Sequence, residues 1–486
     1  MANRCPSCGG TLRFDIQKQK LVCEYCESEF DPSSIKEMTG AGESEAFGNE
    51  PVENPEGETI DAKIFTCPNC GAEVFATDLD AVEYCSYCGT FVTLESRLAK
   101  MQKPSYIVPF TITKEKCMEL YGEKLKKTHF LPKDMKVENA ESKLHNTYIP
   151  FWVYTEKMDA GAELHFTGLE EWSRGNTDYK QEYFFDTHPE GTVEGVFFDA
   201  SATLDDRISE QIGNFPMDSL QPYNSSLMTG SYADVADVKK EVYVDNVRQK
   251  GVEAIAEKMK QDFCEGDRFV ETFHDTTKVK SIALKKDDNT YSSVDAKLAM
   301  LPVWFMTWKN KNRLCYSVIN GNTGKMFTEI PADIKKYSLA SFLIAIPIFI
   351  LLELFLTLMP KTLIYVSAAL SLIFLFLRRG ALKKLKRQDE RMDDKGFQNS
   401  FGNETPSDNS KNKGKVKGGL PFWISIVGLV ASAFLIYKSF PDDIINYACV
   451  IFNIVATFIS IASMVKAHNL SCSRPIPHFF DERKGA

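Results

Sequence analysis

Cys5-Pro-Ser-Cys8-Gly9 with Cys23-Glu-Tyr-Cys26-Glu27, and Cys67-Pro-Asn-Cys70-Gly71 with Cys85-Ser-Tyr-Cys88-Gly89, decide how the first hundred of these 486 residues fold. Both sets have the spacing C-x2-C-x14-C-x2-C, and each cysteine has a counterpart 62 positions further on. Four thiolates converging on one point suit a tetrahedral cation, above all Zn2+. Two residues between cysteines let one tight turn present both sulfurs. Pro after the first cysteine presets φ, and Gly after the second accepts the left-handed backbone such a turn needs. Glu27 stands where that Gly is expected, which makes its turn the least well adapted of the four. The residues between the pairs fit a short hairpin, in which Leu12, Phe14 and Ile16 alternate and Val74 and Phe75 do so less cleanly. With all four positions filled by protein, none is left for water or substrate, so the sites read as structural. The expectation is two zinc ions per chain, one on Cys5, Cys8, Cys23 and Cys26, the other on Cys67, Cys70, Cys85 and Cys88. These define zinc ribbons over residues 1–31 and 61–100. Between them, residues 32–60 hold seven acidic residues against one lysine and read as a solvated linker.

Charge narrows the function of this head. Residues 1–100 carry 8 Lys/Arg against 18 Asp/Glu, and each Zn2+ with four thiolates adds a formal −2. Nucleic-acid binding depends on Lys and Arg neutralising phosphates, so this head is poorly suited to DNA or RNA. The opening residues have no basic-then-apolar run, so no secretory signal is expected. The other five of the thirteen cysteines (Cys117, Cys264, Cys315, Cys449, Cys472) show no spacing rule. A reducing, cytoplasmic setting fits that usage.

Residues 103–335 alternate strand-like and helix-like patterns, the mark of an α+β region. Thr113 reads as the N-cap of a helix over 114–128 with Cys117, Leu120, Tyr121 and Leu125 on one face. Tyr148–Tyr154 reads as a buried strand entered through Pro150. Tyr179–Asp186 and Thr192–Asp199 suggest a hairpin across Pro189-Glu-Gly191, and 234–263 a long helix interrupted near Gly251. Strands follow near 277–286, 291–299, 302–308, 313–319 and 325–329. Leu301-Pro-Val-Trp304 echoes Ile149-Pro-Phe-Trp152, which suggests two related units. Trp152, Trp304 and Trp308 are core candidates. Gly321-Asn-Thr-Gly324-Lys325 lacks the earlier Gly of a phosphate loop and reads as a hairpin turn. The five histidines of this region (His129, His145, His165, His188, His274) form no metal-ligand spacing, and no nucleophile, base and orienter converge. No enzyme is expected.

Four apolar stretches follow: Leu339–Met359, Thr362–Leu377, Leu420–Tyr437 and Ile444–Val465. About 20 helical residues cross a 30 Å hydrocarbon core, so these read as transmembrane hairpins over 338–377 and 419–466. Residues 378–418 carry twelve Lys/Arg against six acids, which places this loop, the N-terminal bulk and the 467–486 tail in the cytoplasm. Glu353 is the one acid inside a span, and Asn453 is its candidate partner.

CPSCGG-TLRFD, CPNCGAE, YIVPF, YIPFWVY, LPVWF, NGNTGK and the closing Arg474-Pro-Ile-Pro-His-Phe-Phe-Asp481 together resemble the TFIIB-type zinc ribbon-containing membrane proteins of Gram-positive bacteria. Some members carry a helicase-loader label, but no Walker motif stands in this chain. A related protein is encoded beside PspA-like and SPFH proteins of envelope-stress modules. The resemblance implies a membrane scaffold or recruitment factor with the lipid bilayer and such proteins as partners. A membrane-tethered nucleic-acid-binding regulator is the alternative, and a small transporter or channel a third reading.

Overall fold

The computed structural model describes residues 4–34, 59–76, 85–90, 95–158, 164–175, 177–187, 190–213, 215–265, 278–284, 292–310, 313–355, 360–391, 419–438 and 443–475. Most of the 32–60 linker, the end of the basic loop, His188, His274 and the tail beyond Pro475 lie outside these.

The head contributes strands β1 (Leu12–Asp15), β2 (Lys20–Cys23) and β3 (Glu29–Phe30), then β4 (Thr59–Thr66), β5 (Glu73–Ala76) and β6 (Glu95–Gln102). The middle region adds β7 (Tyr106–Ile107), α1 (Lys114–Lys126), β8 (Leu144–Met158), β9 (Leu164–Arg174), β10 (Thr177–Thr187), β11 (Gly191–Asp199), α2 (Asp206–Ile212), β12 (Gln221–Pro222) and β13 (Tyr232–Asp234). After these come α3 (Val244–Glu265), β14 (Lys278–Leu284), β15 (Ser292–Asn310), β16 (Arg313–Asn320) and β17 (Met326–Thr328). The described residues end in α4 (Ile334–Phe355), α5 (Pro360–Arg391), α6 (Gly419–Lys438), α7 (Asp443–Ser471) and the two-residue β18 (Arg474–Pro475).

β8 and β15 form the spine of a twelve-stranded sheet and pair antiparallel over fifteen positions, with Ile149 opposite Leu301. The two Pro-containing motifs therefore lie side by side about a local twofold, and the correspondence extends well beyond them. Residues 152 positions apart occupy equivalent places. β11 leaves β8 at Phe151, and β16 leaves β15 at Val303. β7 adds in parallel to Ala299 and Met300, as β13 does to Thr147 and Tyr148. Trp304 Nε1 donates to the Ile112 carbonyl at 2.8 Å, and Trp152 Nε1 to the Val238 carbonyl at 2.8 Å. Each indole thus pins the segment leading into a helix, α1 in one half and α3 in the other.

Side chains alternate across the spine as a strand requires. Tyr148, Met300, Trp304 and Trp308 face α1, while Trp152, Tyr154 and Leu298 on the same face meet α3. Ile149, Phe151, Leu301 and Phe305 point the other way, toward α2. The helix expected from Thr113 is α1, capped by that side chain, with Cys117, Tyr121 and Leu125 buried.

Four expectations are corrected. Pro150 and Pro302 lie inside their strands, each at the point where an outer ladder ends, so the missing N–H breaks no pairing there. For the same reason 291–299 and 302–308 are one strand, β15. β10 pairs with β9 rather than with β11, closing at Gly175 (φ 67), and β11 returns to β8. The long helix starts at Val244, after β13, and Gly251 does not interrupt it. A Cβ there would collide with the Glu156 carboxylate of β8, so Gly251 marks the close approach of α3 to the sheet.

The C-terminal helices reverse the burial pattern of the sheet. Ser367, Ser371, Ser432, Asn453 and Ser460 are buried between α5, α6 and α7, while Phe376, Trp423, Val430, Ile454 and Phe458 face outward. Among the described residues two helical segments, Thr362–Lys383 and Asp443–Ser471, are long and apolar enough to cross a membrane, and only 22% and 28% of their most apolar stretches are buried. Phe422–Lys438 is apolar but shorter. Four full spans were expected where the described residues give two; the first expected stretch, Leu339–Met359, includes residues outside the described ones. The second is longer than expected, because the helix continues through Arg378 and Arg379. Asn453 donates to Ser432 Oγ at 2.7 Å and Ser367 Oγ at 3.3 Å, which uses both its N–H groups. The side chain of Glu353 lies outside the described residues.

Gly251→Ala should destabilise the protein by about 1–3 kcal/mol through overpacking. Gly122→Ala in α1, where the nearest side-chain atom is 3.6 Å from the new methyl, should instead gain about 0.5 kcal/mol. Urea unfolding of the detergent-solubilised chain separates the two.

Candidate metal centres

Each cysteine pair sits on the same backbone turn, repeated four times. The residue after the second cysteine returns its N–H to the carbonyl of the first: Gly9 to Cys5 and Gly71 to Cys67 at 2.8 Å, Gly89 to Cys85 at 2.9 Å, Glu27 to Cys23 at 3.0 Å. One residue further on, a carbonyl accepts the first cysteine's own N–H, from Gly10, Ser28, Ala72 and Thr90 in turn. The closing residue is left-handed every time, with φ of 75° at Gly9, 81° at Gly71, 66° at Gly89 and 57° at Glu27. Glu27 therefore adopts the conformation its position demands, at a cost that Gly would avoid.

These turns bring Cys5, Cys8, Cys23 and Cys26 together, and separately Cys67, Cys70, Cys85 and Cys88, with all four sulfurs of a set within 4.8 Å of one another. Cross-pair Sγ distances are 3.5 Å (Cys5–Cys26), 3.4 Å (Cys8–Cys23), 3.8 Å (Cys67–Cys88) and 3.7 Å (Cys70–Cys85). A tetrahedron with metal–sulfur bonds of 2.3 Å has edges of about 3.8 Å, so both sets fit one ion each. No disulfide joins any cysteine of these sets. Crowding splits the thiol acidities. Hydrogen bonds with Ser28 bring Cys26 down to about 6, and that with Cys70 brings Cys67 to about 7. Cys85, hydrogen-bonded with Cys67, is held well above the usual thiol range. An ion removes the conflict by taking all four as thiolates.

The two centres differ in their surroundings. In the first, Cys5 and Cys23 are buried while Cys8 and Cys26 are exposed. Its hairpin β1–β2 closes over Leu12 and Leu21, and it touches the sheet domain through Phe14 N–H to the Thr229 carbonyl (3.4 Å) and Gln19 Nε2 to the Phe110 carbonyl (2.7 Å). In the second, all four cysteines are buried. β5 pairs with β13, so the hairpin of this centre is an edge extension of the main sheet. Val74 and Phe75 are both buried for that reason: Val74 packs on the cysteines, Phe75 on the α1 core.

The turn between Cys85 and Cys88 is keyed into the α2 face of the sheet. Tyr87 Oη donates to Asp234 Oδ2 at 2.5 Å, and Thr203 Oγ1 donates to the same oxygen at 2.9 Å, as does the Ser201 hydroxyl. Burial raises the Asp234 carboxyl above its usual range, and these hydroxyls counter the rise. The Tyr87 carbonyl accepts from Tyr316 Oη at 2.6 Å, and the Ser86 carbonyl accepts from Thr307 Oγ1. Nothing in the C-x2-C spacing announced these contacts.

Of the remaining candidates, Trp152, Trp304 and Trp308 are core residues, and Gly321–Lys325 is a turn in which Asn320 Oδ1 accepts from the Asn322 and Thr323 amides at 2.9 Å. His129 and His145 belong to neither sulfur cluster, and burial lowers His145 to about 4. The side chains of His165 and Cys264 lie outside the described residues.

The chain is similar to the uncharacterized protein YdjG of Bacillus subtilis (strain 168), with 22% identity over 334 residues, covering 68% of this chain and 89% of that one. No family model and no solved structure matches it.

Metal analysis of the purified chain should return two ions, and Cys8→Ser or Cys67→Ser should each return one. Cys8→Ser should leave the sheet intact, whereas Cys67→Ser should cost it about 4 kcal/mol or more, since β5 belongs to that sheet. Because protons compete with metal for thiolates, lowering the pH from 7 toward 5 should release the ion of the half-exposed first centre before that of the buried second one.

Proposed function

We propose that this protein is a non-enzymatic, membrane-anchored zinc-ribbon protein whose cytoplasmic face serves as a scaffold or recruitment platform. One zinc ion occupies each tetracysteine centre and is purely structural, since four protein thiolates leave no position for a substrate. Four helices anchor it in the cell membrane, with both termini in the cytoplasm.

The observation that carries this reading is how the helical part begins and ends. Asn469, near the end of α7, exchanges two hydrogen bonds with the Ala332 backbone, two residues before α4, both at 2.8 Å. Lys336 Nζ donates to the Leu131 carbonyl at 2.6 Å, and Arg474 joins Asp205 and Glu329 at 2.7 Å each. Both ends of the helical part are therefore fixed to one domain, and a chain that leaves and returns on one side crosses an even number of times. The twelve Lys/Arg of 378–418 favour the cytoplasm for that side. Small and polar residues between the helices, with apolar ones outside, fit packing in lipid.

A working surface on the cytoplasmic side then consists of the sheet domain and the acidic head. A partner with a basic face would be steered to it, with an on-rate that falls as salt rises. The resemblance to proteins encoded beside PspA-like and SPFH proteins makes these the first partners to test.

Two measurements check the proposal. Asn403→Cys should be labelled only from the cytoplasm and Ser439→Cys only from outside; external labelling of Asn403→Cys would refute the topology. Capture of PspA-like or SPFH protein by the membrane-embedded chain should weaken severalfold between about 50 and 200 mM salt, as the screening length shortens, and vanish on metal removal. Sequence-selective retention of DNA above about 0.2 M salt would favour a nucleic-acid-binding regulator and overturn recruitment.

A further inference from the structure

We infer that the second tetracysteine centre governs how firmly the sheet holds the end of the last membrane-facing helix; the inference rests on that centre binding a metal ion. The hold itself is a clasp of buried charge. Immediately after α7, Arg474 lays Nη1 on Asp205 Oδ2 and Nη2 on Glu329 Oε1, both at 2.7 Å, and Arg207 reaches the same Glu329 oxygen at 3.0 Å. The tail strand β18 adds to β16, with Arg474 opposite Leu314 and Pro475 opposite Arg313. Arg313 in turn donates to the Leu470 carbonyl at 3.1 Å and to Ser473 Oγ at 2.7 Å.

One residue touches both this clasp and the metal turn. The Tyr316 ring lies under the Arg474 guanidinium, 4.9 Å from its centroid, and the Tyr316 N–H donates to Glu329 Oε2 at 3.0 Å. At its other end, Tyr316 Oη donates to the Tyr87 carbonyl at 2.6 Å, between Cys85 and Cys88. Thr307, on the adjacent strand and the same face, donates to the Ser86 carbonyl. Both non-ligand carbonyls of this turn are thus acceptors for buried hydroxyls of the sheet. Their positions depend on the turn, and the turn depends on Cys85 and Cys88 sharing an ion.

Removing the ion frees the Tyr87 carbonyl, leaves the buried Tyr316 hydroxyl without its acceptor, and loosens the ring on which Arg474 rests. Linkage makes the effect mutual: whatever loosens Arg474 weakens the hold of the centre on its ion. The first centre supplies an internal control. Its described hydrogen bonds to the sheet domain run through Thr229, Phe110 and Asn224, none of which touches the clasp.

Cys472, half-buried between α7 and β18, reports on the tail without any substitution. With the full chain in lipid nanodiscs, alkylation of Cys472, read from its own peptide by mass spectrometry, should run at least about fivefold faster after metal removal, the low end of ordinary coupling. Cys8→Ser, which keeps an ion only in the second centre, should retain the slow rate. In that background, Tyr316→Phe and Arg474→Gln should each speed zinc release to a chelator by about fivefold or more. A Cys472 rate indifferent to metal, or zinc release indifferent to both substitutions, would overturn the coupling while leaving the metal centre standing. A Cys8→Ser chain that carries no zinc at all would instead refute the centre, and the coupling with it.

Discussion

Four thiols held within 4.8 Å of one another can ionise together only when something cationic shares them. In the first centre the consequence is more confined: a three-stranded sheet, a small core around Leu12 and Leu21, two exposed sulfurs, and only Phe14 and Ile16 packed against the main core. In the second it spreads. Its hairpin supplies the strand on which β13 pairs, β13 pairs with the spine strand β8, and its second turn fills a socket made by Asp234, Thr307 and Tyr316. The same sequence device, repeated 62 residues apart, thus builds an appendage once and a structural element of the main sheet once.

The sheet itself is organised about the antiparallel meeting of Ile149 and Leu301. The outer ladders, the parallel additions of β7 and β13 and the two indole hydrogen bonds of 2.8 Å in one half each have a counterpart in the other. Departures from that symmetry are where the halves acquire separate tasks. Unit one carries the β9–β10 ribbon between its strands, and unit two leads directly through β17 into α4. β16 offers its far edge to β18, so the domain closes on the chain's return from the helical part.

The metal turns were legible because their chemistry is local. Spacing specifies each one within six residues, helped by Pro in two turns and Gly in three, and Glu27 was readable as the strained member. The N-cap of α1 at Thr113 and the buried tryptophans were legible for the same reason. Pairing partners were not, since a strand's pattern states which face is apolar but not which strand lies beside it. Thr192–Asp199 has the alternation of a hairpin arm, and its partner is β8 rather than its neighbour β10. Val74 and Phe75, both apolar in succession, were the available sign that β5 is covered on two faces. Gly251 looked like a break because a sequence does not show Glu156 lying against it. Arg474 looked like part of a tail, because its carboxylate partners stand 269 and 145 residues earlier.

The second centre and the sheet fold as one body, whereas the first centre has a small core and a strand set of its own. Hydrogen exchange of the intact protein, followed by mass spectrometry with and without metal, tests it most directly. On metal removal, protection should be lost at 73–76, 232–234 and the 147–148 stretch of β8, in addition to both sets of cysteine turns. Loss confined to the cysteine turns, with β13 and β8 as protected as before, would contradict it.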